Sequence, residues 1–178
     1  MGVAGTLVSK NLVGRGGLYC GFCLIYRAGK DSEKLRRAVA RRSKCKPEDV
    51  RCEGCQTVLV DGWNNARWSK NCKIIKCQEA KGVKFCYECD VYPRCKRFHS
   101  IADHSLKRGE DLMANLEKIK AGKVEEWLEE EDREWRCSKC GNLFPCILMS
   151  ATGVVLTSER PRSARACGYG FCWDEFCI

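Results

Sequence analysis

Histidine and proline are scarce in this chain of 178 residues, with two of the first and four of the second. The histidines, His99 and His104, stand five apart, so they do not form the i, i+4 pair that a zinc-helix motif places on one helical face. A metallohydrolase of that kind is excluded. A glycine-rich phosphate loop and a nucleophile elbow are missing as well, which removes the common nucleotide-hydrolysing and acyl-transfer readings. No apolar run approaches the roughly 18 residues of a membrane span, which argues against a membrane partner. The stretch MGVAGTLVSKNLVGRGG has no sustained apolar segment, because Lys10 and Asn11 interrupt it. No export signal is therefore expected, and the expected location is the reducing cytoplasm. The EFCI terminus is not a prenylation box, since Glu175 stands where cysteine is required.

Cysteine is what the chain has instead: 16 residues, within a hydrophobic fraction of 44%. Without them about 35% remains for an ordinary core, thin for this length. Disulfides or metal must then help hold the fold, and a reducing compartment favours metal. The formal charge of +9 is uneven: residues 1–100 carry 21 Lys+Arg against 9 Asp+Glu, and residues 101–178 carry 11 against 14. Four thiolates around a divalent ion contribute −2 per site, so two such sites would lower the N-terminal +12 to about +8.

The spacing of the cysteines points the same way. Four C-x-x-C pairs occur: Cys20/Cys23, Cys52/Cys55, Cys86/Cys89 and Cys137/Cys140. Two sulfurs at that spacing reach one metal ion at tetrahedral angles. Gly21 and Gly54 lie inside the first two pairs, where a tight knuckle calls for positive φ. Cys72, Cys77 and Cys95 crowd the third pair, giving five cysteines between 72 and 95. A helix ending near Gly82 would let Cys72 and Cys77 share a site with Cys86 and Cys89, leaving Cys20, Cys23, Cys52 and Cys55 for a second. Cys95 either completes a site or is a spare, reactive thiol. Cys167 and Cys172, spaced C-x4-C, are the candidates to close a ribbon with Cys137 and Cys140; the alternative is a tail after about residue 142 that closes no ribbon.

Between the cysteines, apolar periodicity predicts helices. Residues 31–44 place Leu35, Ala38 and Val39 on a narrow inward face, and Arg36, Arg37, Arg41, Arg42 and Lys44 on the remainder. Residues 73–81 turn Ile74, Ile75 and Cys77 inward. Residues 110–121 place Leu112, Leu116 and Ile119 on one stripe, and 123–135 place Val124, Trp127, Leu128 and Trp135 on another, with seven acidic residues elsewhere. That acidic face is complementary to the basic 31–44 helix. Asp61-Gly62 predicts a small hairpin, with Trp63 and Trp68 as lids on a small core.

The segments GGLYCGFCLIY (16–26), CEGC (52–55), CKIIKCQEAKGVKFCYECDVYPRC (72–95) and WLEEEDREWRCSKCG (127–141) together resemble an uncharacterised cysteine-rich family catalogued as domain of unknown function 3795. The resemblance implies a small zinc-binding protein and no established reaction. The chain departs from the family pattern at Gly16, often a cysteine there, at Leu24, often a proline, and at Arg94, which separates Pro93 from Cys95.

The expected fold is a small, irregular, metal-stapled α+β structure with zinc knuckles, short helices, a helical arm and a candidate C-terminal zinc ribbon. Its expected divisions are a cysteine-rich metal-binding domain (1–100), an amphipathic helical arm (101–135) and a ribbon-like tail (136–178). The expected metal ligands are Cys20, Cys23, Cys52, Cys55, Cys72, Cys77, Cys86, Cys89, Cys95, Cys137, Cys140, Cys167 and Cys172, holding two or three zinc ions. The function read from these residues is a non-catalytic zinc protein acting as a binding or adaptor module for a protein partner. One alternative is an iron–sulfur or thiol-based redox protein, although neither ferredoxin spacing is present. The other is a nucleic-acid-binding zinc module using basic residues 27–51.

Overall fold

The computed structural model describes residues 9–31, 33–57, 72–107, 109–136, 147–150 and 153–156. Six α-helices dominate them: α1 (Leu24–Lys30), α2 (Glu33–Ser43), α3 (Lys73–Lys81), α4 (Lys96–Leu106), α5 (Leu112–Lys120) and α6 (Val124–Glu134). Short 3-10 turns at Lys10–Leu12, Cys20–Phe22, Pro47–Asp49 and Cys86–Glu88 connect them. No helix among the described residues is long and apolar enough to cross a membrane.

The expected α+β class, with its zinc knuckles and ribbon, is overturned. The sheet structure among the described residues is one antiparallel hairpin, β1 (Ile147–Ser150) against β2 (Gly153–Leu156), and neither strand contains a cysteine. Cys20/Cys23 and Cys86/Cys89 do not sit on hairpin turns. Cys20 and Cys86 each open a 3-10 turn, and Cys23 is the N-cap of α1, which continues unbroken through LIYRAGK. Cys72 and Cys95 likewise stand at the N-caps of α3 and α4. The chain after Cys23, Cys72 and Cys95 is helix-forming, so these cysteines lead into helices rather than strands.

The periodic segments fold as their apolar stripes direct. In α2, Leu35, Ala38 and Val39 are buried; Leu35, Val39 and Ala40 make a small core with Ala28 of α1 and Val50. The Arg36 guanidinium donates to the Gly29 carbonyl at 2.9 Å and holds the two helices together. In α5 the Asp111 carboxylate accepts from the Met113 and Ala114 amides, capping the helix. Gly122 at φ +78 separates α5 from α6, whose first turn carries Glu125 and Glu126, favoured at the positive end of a helix dipole. The acidic residues of α6 pair locally: Glu125 with Lys10, Glu130 with Lys118, and Asp132 with Arg136 at 2.6 Å.

The main core joins distant parts of the chain: Leu12 to Phe22, Phe98 and Ala102 of α4, and the inward stripes of α5 and α6. Phe22 stacks on Trp135 with centroids 3.9 Å apart, and Tyr19 meets Trp127 edge-on at 6.3 Å. Polar groups reinforce this clasp. The Tyr19 amide donates to Glu110 at 2.7 Å, the Tyr19 hydroxyl to Asp132 at 3.0 Å, and the Asn115 amide to the Gly17 carbonyl at 2.9 Å. The first cysteine pair therefore lies in a loop gripped by α5 and α6. The predicted hairpin near Asp61 and the cysteines from 137 onward lie outside the described residues.

Candidate metal centres

Eight cysteines fall into two groups. The first brings Cys20 and Cys23, on the turn leading into α1, to Cys52 and Cys55, on the loop after Val50. The sulfurs of Cys20 and Cys55 are 3.6 Å apart. Adjacent ligands of a tetrahedral site with metal–sulfur bonds of about 2.3 Å stand about 3.8 Å apart, so this pair is already at ligand spacing. The loops are shaped for it. Gly54 has φ +97, and a Cβ there would lie 2.1 Å from the Asn11 carbonyl oxygen. Gly21 keeps an ordinary φ; it is needed because a Cβ would strike the Tyr19 ring at 2.2 Å. Only Gly54 thus follows the positive-φ expectation.

Backbone amides point at these sulfurs. Gly54 N–H donates to the Cys52 sulfur at 3.4 Å, and the nearby amides of Tyr26 and Ile25 favour ionised Cys23 as that of Arg15 favours ionised Cys55. Three of the four thiols resist ionisation. The hydrogen shared with Cys55, then burial, raises Cys20; burial raises Cys23 and pushes Cys52 up to about 11. Cys55 alone moves down, as the acceptor of the Cys20 hydrogen and the neighbour of Arg15. Cys20 is buried and Cys23, Cys52 and Cys55 are half-buried, and a cation held among them would favour their ionised forms.

The second group consists of Cys77 from α3, Cys86 and Cys89 from the following turn, and Cys95 at the N-cap of α4. All four line one space of about 30 Å³, the volume of a single small ion or water. Gln78 shares that lining and donates to the Cys86 sulfur at 3.2 Å. Burial, with the neighbouring Cys95, Cys77 and Cys89, pushes Cys86 up to about 11. Cys72 does not line this space, and Cys95 does. Among the described residues, no three Cys, His, Asp or Glu donors are drawn onto one point at metal-bonding geometry. The sulfurs are grouped, and the donor set is the all-thiolate one that zinc or an iron–sulfur cluster takes. Cys137, Cys140, Cys167 and Cys172 lie outside the described residues.

Arg15 ties the two groups together. Its amide faces Cys55, while its carbonyl accepts from the Cys86 amide at 3.2 Å and from Gln78 at 3.0 Å. Arg15 as a residue is 8% exposed; burial lowers its pKa, and Cys55, Glu79 and Glu88 pull the other way. Neither Arg15 nor Gln78 is marked in the sequence, because nothing about an isolated arginine or glutamine shows that it is buried between cysteine groups.

Residues 12–100, half of the chain, match the family described as a protein of unknown function, DUF3795. No curated protein and no solved structure matches the chain. The match takes in both thiol groups and ends inside α4, while the core that holds the first group continues to Trp135. The chain belongs to the DUF3795 family.

Proposed function

We propose that the protein is a non-catalytic zinc-binding module in which Cys20, Cys23, Cys52 and Cys55 hold one ion and Cys77, Cys86, Cys89 and Cys95 hold another. The observation that carries this reading is the gathering of eight thiols into two groups of four, from five separate stretches of chain. Four thiolates leave zinc no open position, so such a site fixes structure and activates no water. When bound, zinc supplies the positive charge that lets the buried thiols ionise. The residues of the chain do the rest: the amides of Arg15, Ile25, Tyr26 and Gly54 and the Gln78 side chain would hold the sulfurs in place. Thiolate ligands must stay reduced, which supports a cytoplasmic location for the module. A third ion, on Cys137, Cys140, Cys167 and Cys172, belongs to the same proposal.

Native mass spectrometry of freshly purified protein tests the reading, with a visible spectrum alongside. Two or three zinc ions and no colour are expected; a brown, iron-containing protein would establish the iron–sulfur alternative instead. A second reading rests on the exposed Arg41, Arg42, Lys44 and Lys46 around the end of α2. There the module would bind nucleic acid through phosphate contacts, with an affinity that falls steeply as salt rises. A salt-independent complex, or none, would remove that reading.

A further inference from the structure

A cleft of about 720 Å³ opens on the face of the molecule shared by Arg15, the turn before Cys86 and the start of α6. Its size is that of a small-molecule site. Lys10 is matched by Glu125 in an ion pair; among the described residues that line the cleft, Arg15 and Lys84 have no other acidic neighbour, and Glu79 and Glu88 act on Arg15 from outside the lining. Arg15 is 8% exposed, and its buried Nε has no hydrogen-bond partner among the described residues. A buried guanidinium donor is rarely left unpaired, and its planar fork matches the oxygens of phosphate or carboxylate. Beside it, Phe85 and Val124 form an apolar wall, with the Lys84 ammonium 5.6 Å from the centre of the Phe85 ring.

We propose that this cleft binds a small organic oxyanion, its phosphate or carboxylate head on Arg15 and Lys84 and its apolar body along Phe85 and Val124. The competing role for Arg15 is charge balance for the Cys55 group alone, and the two roles separate by experiment. The full chain, as purified and with its metal content measured in parallel, is titrated with phenyl phosphate, benzoate and inorganic phosphate and followed by amide and arginine-Nε NMR. Saturable shifts at Arg15, Lys84 and Phe85 are expected with phenyl phosphate or benzoate, and the tighter of the two identifies the head group. Inorganic phosphate, which lacks the apolar body, should bind about tenfold more weakly. Lys84→Glu, an exposed substitution, should weaken binding by about tenfold or more and leave the metal content unchanged. Arg15→Lys should also weaken it, with folding followed by tryptophan fluorescence. The proposal is overturned if neither organic anion gives saturable shifts at millimolar concentration, or if Lys84→Glu binds like the wild type. It is equally overturned if a folded Arg15→Lys loses metal while its anion binding is unchanged. Because metal content and anion binding are read separately, failure of the zinc reading does not mimic failure of this one.

Discussion

The two cysteine groups hold equal numbers of thiols but close very different lengths of chain. The first joins Cys20 to Cys55 across 35 residues, and Cys20 belongs to the main core with Phe22, Trp127 and Trp135. The second spans only Cys77 to Cys95 around a small space between α3 and α4, with Cys86 and Cys95 half-buried against the edge of the same core. Closing a longer loop removes more freedom from the unfolded chain, and a crosslink rooted in the core transmits its loss to everything packed there. The first group is expected to act as a keystone for the fold, and the second as a local clamp.

The largest way to break that contrast is Cys55→Ser. It removes one ligand and leaves buried thiols around it, and structural zinc in small domains is worth about 10–16 kcal/mol of folding free energy. Loss of one ion together with the near-ultraviolet signal of the core tryptophans is expected. Next comes Trp135→Ala, which deletes the ring stacked on Phe22 and the indole donor to Glu131 at 2.8 Å. It should cost about 3–5 kcal/mol in denaturant unfolding and weaken the first site more than the second. Equal weakening of both would erase the distinction.

Much of this was legible beforehand, for physical reasons. The stripes Leu35/Val39, Ile74/Ile75, Leu112/Leu116/Ile119 and Trp127/Leu128 repeat at helical spacing, and these residues are all buried. The α+β expectation fails because zinc knuckles do not require sheet: the residues after Cys23, Cys72 and Cys95 continue as helix. The place of Cys72 beside Cys77 was also hard to judge. Five residues along a helix turn the side chain by about 500°, leaving the two about 140° apart, so they do not face one space. Cys95, at the N-cap of the next helix, lines that space instead. Arg15 and Gln78 carry no signal of their own, since their roles come from burial between segments far apart in sequence.

Smaller effects sharpen the comparison. Cys95→Ser should remove one ion and speed hydrogen exchange in α3 and α4, while the amides of α5 and α6 keep their protection. Global loss of protection would show that the second group is no local clamp. Smallest of all should be Cys72→Ser, which keeps both ions and changes stability by about 0.5 kcal/mol or less. Loss of an ion in that variant would mean that Cys72, and not Cys95, completes the second group.

The most direct measurement is the metal count of wild type, Cys55→Ser, Cys95→Ser and the double variant by native mass spectrometry. Each single variant should lose one zinc ion and the double variant two. Wild-type protein that is folded without metal, or single variants that lose the same ion, would contradict two independent four-thiolate sites.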